Sequence, residues 1–153
     1  MDTAARHPRL VERLAGVGLK VVITGVESPR PEELKKYNKK LEVAEIREGI
    51  RVCHANGIML RANYVIPPDY VADDFDSLAE FAAENSTSYA GYTILTPMPG
   101  TALYRQMEPE IIDHDLSKYN FFNQVLRTRL PREDFLNSVG GLWSIRTGTH
   151  VLS

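Results

Sequence analysis

A recurring unit of helix, glycine and strand constrains the fold of this sequence more than any other feature. Two helical patterns end at Gly18 and Gly57, and each glycine is followed by a strand-like apolar run, LKVVITGV and then IMLRANYVI. A third helical pattern precedes the run YAGYTIL. Strands that alternate with helices pair in parallel through right-handed crossovers. The sequence therefore predicts an α/β fold with about three parallel strands alternating with helices, followed by a helical C-terminal tail.

Each predicted helix has a recognisable start and one apolar face. Pro8, Pro31 and Pro131 suit the first turn of a helix, because the N–H that proline lacks would be unpaired there, and Asp73 or Asp74 can cap the third helix. The apolar faces of the helices fall at helical spacing, on Leu10, Val11, Leu14 and Val17, on Val43, Ile46, Ile50 and Cys53, on Phe75, Leu78, Ala79 and Ala82, and on Phe135, Val139, Leu142 and Trp143.

The strand IMLRANYVI discriminates between two α/β architectures. Arg61, Asn63 and Val65 alternate with apolar residues, so one face of this strand is polar at its centre. Helices cover both faces of an open doubly wound sheet, where a central arginine would be badly placed, whereas a barrel offers that face a lumen. We therefore favour part of a (βα) barrel over an open sheet. Residues 1–107 form the barrel part and residues 108–153 are a helical extension of the same domain.

Composition sets limits on the partners. The chain has 153 residues with 43% hydrophobic and 25% charged residues, which suits one globular domain. The net charge is −2, and the lysines of residues 35–40 are flanked by glutamates, so we expect no nucleic-acid partner. No apolar run approaches the roughly 20 residues that span a bilayer, and MDTAARHPRL has no signal-peptide core. We expect a cytoplasmic protein without a transmembrane segment.

The candidate site lies where the strands end. The active sites of (βα) barrels are built at the carboxyl ends of the strands, which are Glu27-Ser28, Pro67-Pro68-Asp69 and Thr96 to Thr101 in this sequence. A carboxylate at Glu27 accepts hydrogen bonds from a ribose diol or an ammonium group. An arginine such as Arg61 can hold a carboxylate in a bidentate pair, and an asparagine such as Asn63 offers both a hydrogen-bond donor and an acceptor. The alternatives are a Glu27 that caps a helix, a polar network without a ligand, and an ordinary proline turn.

Three segments carry a resemblance to a known family. DTAARHPRLVERLAGVGLKVVITGVES, HANGIMLRANYVIPPDYVADDF and YAGYTILTPMPGTALY, together with the tail YNFFNQVLRTRLPREDFL, resemble radical S-adenosylmethionine enzymes. The most similar class carries a cobalamin-binding domain before the radical domain and includes hopanoid methylases and related Fe–S oxidoreductases. The match covers most of residues 1–105. GVES and TPMPGT, in this order and at this spacing, are its most specific parts.

The resemblance implies a fold and a cofactor site. Its fold is a partial, TIM-like barrel of six units with S-adenosylmethionine on the upper rim, and this chain would supply the fourth, fifth and sixth strands. Glu27, with Ser28 beside it, would contact the ribose or methionine part of the cofactor, and Arg61 and Asn63 would face it. Ile66 and Pro67 would approach the adenine, and Leu95, Thr96 and Pro97 would complete the adenine pocket. A methyltransferase or related oxidoreductase acting on a hydrophobic substrate is the implied activity.

The sequence also departs from that family. The family holds a [4Fe–4S] cluster through a CxxxCxxC motif, whereas Cys53 is the one cysteine of this chain. The cluster, and any cobalamin, would have to be held by an N-terminal remainder of the enzyme, so we expect this chain to ligate no metal and to be inactive alone. Exposed sheet edges predict an oligomer or a marginally stable chain. The alternative function is a non-catalytic interaction module or a degenerate barrel fragment.

Overall fold

The computed structural model describes residues 2–27, 43–85 and 89–144. The predicted helix start at Pro31 and the candidate residue Ser28 lie outside this part of the chain. In order, the elements are α1 (Asp2–Arg6), α2 (Pro8–Gly16), β1 (Val21–Glu27), α3 (Val43–Ala55), β2 (Met59–Ile66), α4 (Ala72–Glu84), β3 (Tyr89–Ile94), α5 (Ala102–Met107) and α6 (Arg132–Ser144), with short 3₁₀ turns at Glu108–Glu110 and Leu116–Lys118.

The predicted α/β fold is confirmed. The three strands form one parallel sheet in the order β1-β2-β3, and helices separate them along the chain. Gly18 and Gly57 follow α2 and α3 with φ angles of 106° and 67°, a left-handed conformation that favours glycine after a helix. The sheet is open within the described residues, so its closure into a barrel stays a prediction.

One face of the sheet packs against helices and forms the main core. Leu60, Ala62, Tyr64 and Ile66 of β2 are each fully buried on this face. The predicted apolar faces of α3, α4 and α6 supply the other side of the core, with Ile46, Ile50, Cys53, Phe75, Leu78, Ala82, Phe135 and Leu142. Burial of each large apolar side chain contributes roughly 1.5–3 kcal/mol, so this layer supplies most of the stability of the fold.

The opposite face of the sheet is exposed toward the amino ends of the strands and half-buried at Val65, Gly91 and Thr93, and we call it the open face. It carries alternate residues of the strands: Val21, Ile23, Gly25, Arg61, Asn63, Val65, Tyr89, Gly91 and Thr93. The run LKVVITGV is apolar on both faces, a pattern typical of a strand that is buried on both sides, and this expectation is wrong for β1, because 65% of Ile23 is exposed.

The first long helix also differs from its pattern. Of the four residues on its predicted apolar face, Val11 is buried, whereas Leu10, Leu14 and Val17 are exposed. Val11 and Ala15 contact the main core, so α2 packs along a narrower line than its sequence suggests. In the described ranges, no helix is both long and apolar enough to cross a membrane.

A C-terminal strap, residues 111–130, crosses the carboxyl ends of β3 and β2. The amide of Ile94 donates to the carbonyl of Phe121 at 2.7 Å, and the amide of Arg129 donates to the carbonyl of Pro68 at 2.8 Å. Ile111, Tyr119, Val125 and Leu126 form a second small core inside the strap, against which Leu95, Tyr104 and Met107 pack. The tail is therefore packed at the carboxyl ends of the strands, which we call the rim.

Removal of one buried hydroxyl is expected to stabilise the fold. Tyr92 is 2% exposed and stacks on Tyr64 at 5.6 Å, and its hydroxyl has no hydrogen-bond partner among the described residues. Because an unpaired buried hydroxyl costs free energy, Tyr92→Phe should raise the free energy of unfolding by about 1 kcal/mol. Urea unfolding followed by circular dichroism measures this change.

Tyr119→Phe is the matched control, since the Tyr119 hydroxyl donates to the Asp113 carbonyl at 3.0 Å. This variant should lose about 1 kcal/mol. Equal losses in both variants would contradict the description of Tyr92.

The same tyrosine should make stability fall at high pH. Burial raises the pKa of Tyr92 from its ordinary value of 10.0 to about 12. The phenol ionises at a lower pH in the unfolded chain than in the folded protein. Its ionisation therefore leaves the free energy of unfolding unchanged below pH 10 and lowers it as the pH rises toward 12. Urea unfolding at about pH 9 and about pH 11 should show a smaller loss in Tyr92→Phe than in the unaltered chain. An identical loss in the two proteins would exclude Tyr92 as the cause.

Candidate functional site

The parallel register arranges the open face in rows across the strands. Ile23, Arg61 and Tyr89 form a lower row, near the amino ends of the strands. Gly25, Asn63 and Gly91 form a middle row, and Val65 and Thr93 lie above it. The alternation of side chains along each strand places a row on one face, so the polar groups of β2 meet side chains of both neighbouring strands.

Arg61 is held by an aromatic ring in the lower row. Its guanidinium carbon lies 5.4 Å from the centroid of the Tyr89 ring, within the range of a cation–π interaction. No carboxylate in the described part of the chain pairs with it. At an exposed position such a contact contributes about 0.5–1 kcal/mol, which orients the side chain but leaves its N–H donors available.

Asn63 depends on a glycine in the middle row. A Cβ added to Gly91 would lie 2.5 Å from Oδ1 of Asn63 and 3.5 Å from its Cγ. The amide of Asn63 therefore rests against the β3 backbone at the place where any other residue would carry its side chain. On the other side, the register sets Gly25 beside Asn63.

The carboxyl end of β2 presents backbone instead of side chains. The Ile66 side chain is fully buried in the main core, on the face opposite to Arg61 and Asn63, and its carbonyl accepts from the amide of Leu95 at 2.9 Å. Pro67 is also buried. Ile66 can therefore reach a ligand through its backbone alone.

The carboxyl end of β3 is occupied in part by the strap. Leu95 is half-buried against the second core, and Thr96 is 5% exposed with its hydroxyl donating to the carbonyl of Ile94 at 3.0 Å. Pro97 is buried. These predicted contacts lie side by side at the rim, but the hydroxyl of Thr96 already has an internal partner.

The end of β1 contains an irregularity. Gly25 pairs with Asn63, whereas Glu27 pairs with Tyr64, so β1 has one extra residue in a bulge between them. Bulges are common next to functional sites, where they change the direction of a side chain. The backbone of Glu27 thus lies at the rim beside β2, and Ser28 is outside the described residues.

The distance from the carboxyl ends of the strands divides the predicted site residues into two groups. Arg61 is five residues before Ile66 on an extended strand, which is roughly 16 Å at about 3.3 Å per residue. Glu27, Ile66, Pro67 and residues 95–97 lie at the rim. Asn63 lies between the two levels, and Arg61 lies well below the rim.

The cysteine and histidine residues do not form a metal centre in the described ranges. No group of three or more metal-ligating side chains is found there. Cys53 is buried in the main core on α3, and burial raises the pKa of its thiol, which disfavours the thiolate that binds iron. The donor set of this chain therefore does not fit a [4Fe–4S] cluster, which needs several cysteines.

Comparison with known proteins gives three informative relatives. The bacteriochlorophyllide d C-8(2)-methyltransferase of Chlorobaculum tepidum is 29% identical over 79% of this chain and 28% of its own length. The hopanoid C-3 methylase of Methylococcus capsulatus is 23% identical over 88% of the chain and 26% of its own length. The anaerobic magnesium-protoporphyrin IX monomethyl ester cyclase of Cereibacter sphaeroides is 26% identical over 88% and 22%.

The chain is similar to radical S-adenosylmethionine enzymes. The resemblance predicted from its sequence segments is confirmed by these relatives, a hopanoid methylase among them. No family model matches the chain. The chain spans about a quarter of the length of the curated relatives that it matches.

Sequence reasoning missed the neighbours of Arg61 and Asn63. Tyr89, Gly91 and Thr93 alternate along YAGYTIL in the same way as Arg61, Asn63 and Val65 along β2. That alternation was a usable signal for a shared face. The pairing of Tyr89 with Arg61 depends on the register, which a single sequence does not contain.

The contact between Asn63 and Gly91 predicts an energetic coupling. Gly91→Ala gains from reduced chain entropy but forces the Asn63 amide to rotate. In an Asn63→Ala background that conflict is absent, so Gly91→Ala should be more favourable there by about 0.5–1 kcal/mol. A double-mutant cycle of urea unfolding measures the difference. Gly140→Ala, at a glycine with no atom within 4 Å of an added Cβ, is the control and should show no coupling to Asn63.

Proposed function

We propose that this chain is the C-terminal portion of the radical domain of a radical S-adenosylmethionine enzyme, a cobalamin-dependent methyltransferase or a related Fe–S oxidoreductase. The observation that carries the proposal is the similarity to two methylating enzymes and a cyclase over 79–88% of the chain. A parallel sheet with one exposed polar face, and with its strand ends gathered at one rim, supports it.

The rim residues would bind the cofactor. Glu27 would accept hydrogen bonds from the ribose or the ammonium group of S-adenosylmethionine, which are donors suited to a carboxylate. The backbone at Ile66 and Pro67, and at residues 95–97, would form the flat contact for the adenine. The proline rings fix this backbone, so little conformational freedom would be lost when the base binds. The bound cofactor would supply the radical chemistry, and these residues would orient it.

The remainder of the enzyme would supply what this chain lacks. The [4Fe–4S] cluster would be held by cysteines outside the chain, and a cobalamin domain would also lie outside it. Residues 1–107 would be the later half of a partial barrel and residues 108–153 its C-terminal extension. The outer edge of β1 is unpaired within the described residues, and a further parallel strand of the enzyme, or of a second copy, would complete it.

The cofactor assignment is tested by direct binding. Equilibrium dialysis with labelled S-adenosylmethionine measures the dissociation constant of the chain, alone and within the longer enzyme. Glu27→Gln should weaken binding by about tenfold, because a neutral amide replaces the charged acceptor and the hydrogen bond loses about 1–1.5 kcal/mol. Glu80→Gln, at an exposed position of α4, is the matched control and should leave the affinity unchanged. Equal affinities for the unaltered protein and Glu27→Gln would overturn the role of Glu27, and an absence of binding in the longer enzyme would overturn the proposed function.

A further inference from the structure

The lower row of the open face contains a cationic, an aromatic and an aliphatic side chain that are not part of the proposed cofactor site at the rim. Arg61 is exposed, forms no ion pair with a carboxylate of the described residues, and lies against the ring of Tyr89. Ile23 stands on the other side of Arg61 and is 65% exposed. A fixed cation between an aromatic ring and an aliphatic side chain suits an anion that is attached to an apolar body.

The middle row gives that surface a flat shape. Gly25 and Gly91 flank Asn63, and neither glycine carries a side chain above the sheet. The side-chain amide of Asn63 packs over Gly91, in the space that a Cβ at that position would fill. A planar molecule can therefore approach the backbone closely at Gly25 and lie over the amide of Asn63, which covers the β3 backbone at Gly91.

We propose that Arg61, Asn63 and Tyr89 bind a carboxylate of a flat, apolar substrate, at a subsite separate from the cofactor at the rim. The guanidinium pairs with the carboxylate, the Tyr89 ring and Ile23 contact the apolar body, and Gly91 is a positioning residue that keeps the Asn63 amide low. The inference rests on the proposed function for its separation of substrate from cofactor. Its ligand class rests on the charge of Arg61, which no carboxylate of the described residues pairs with.

S-adenosylmethionine also carries a carboxylate. The distance between Arg61 and the rim argues against this carboxylate as the partner of Arg61. Ile66 lies roughly 16 Å along β2 from Arg61, and Glu27, which pairs with Tyr64, is level with a residue about 10 Å from Arg61. A cofactor whose adenine contacts residues 66–67 and 95–97 would have to extend down the whole strand to place its carboxylate there. The substrate, which approaches the cofactor from the open face, meets Arg61 without that requirement.

The test uses pyrene-1-butyrate, a flat fluorescent probe with one carboxylate, and its methyl ester, which has the same body without the charge. Fluorescence titration of the chain should show that the acid binds about tenfold more tightly than the ester. Arg61→Gln should abolish this preference while leaving the affinity for the ester unchanged. Arg51→Gln removes an arginine from α3, whose buried face packs on the other side of the sheet, and should retain the preference.

The positioning role of Gly91 has its own readout. Gly91→Ala should weaken binding of both probes severalfold, because the Asn63 amide is lifted from the sheet and obstructs a flat ligand. In an Asn63→Ala background the same substitution should have no such effect. A loss of equal size in both backgrounds would assign Gly91 a merely local structural role.

Two results would overturn the inference and leave the proposed function standing. The first is an equal affinity for acid and ester in the unaltered chain. The second is a loss of S-adenosylmethionine binding in Arg61→Gln as large as that in Glu27→Gln, which would assign Arg61 to the cofactor. Conversely, a carboxylate preference that depends on Arg61, in a protein that binds no S-adenosylmethionine, would support the subsite and contradict the proposed function.

Discussion

The one-sided burial of a parallel sheet is the constraint on which the rest of this structure depends. Alternate residues of β2 are fully buried against helices, and the residues between them, Arg61 and Asn63, are exposed. Because the side-chain period of a strand is two, a slip of one residue would put an arginine in the core and a leucine in solvent. The cost of burying an unpaired charge fixes the register, and the register in turn brings Tyr89 to Arg61 and Gly91 to Asn63.

The C-terminal strap packs against the loops at the carboxyl ends of β2 and β3 and fixes their position. Its two backbone hydrogen bonds, to Ile94 and to Pro68, join the tail to the ends of both β3 and β2. Leu95 then becomes part of a small core, and Thr96 satisfies its hydroxyl on the carbonyl of Ile94. A rim built in this way presents fixed backbone, which suits recognition by shape more than by side-chain hydrogen bonds.

Local pattern was enough to predict the elements and the exposed face of β2. Glycines after helices, β-branched runs and a polar residue inside a strand are properties of short segments, and they gave the three strands and the sidedness of Arg61 and Asn63. The same alternation places Ile66 with Tyr64 in the core, although the resemblance suggested a ligand contact there. The bulge before Glu27 and the partner of Arg61 depend on pairing between distant segments, which no local pattern contains.

The predicted site residues lie at different distances from the carboxyl ends of the strands. The sequence alone does not separate the residues at the rim from those in the lower rows. Residues at the strand ends are few in free side-chain donors and rich in fixed backbone, whereas the lower rows offer a cation, an amide and an aromatic ring. A cofactor common to many enzymes needs the same binding surface in each, and rigid backbone provides it. Under the proposed function, the substrate differs between related enzymes, and side chains such as Arg61 and Tyr89 can change while the backbone of the sheet beneath them keeps its shape. Under this proposal, the open face is therefore the part of this chain in which substrate specificity can vary without loss of the cofactor site at the rim.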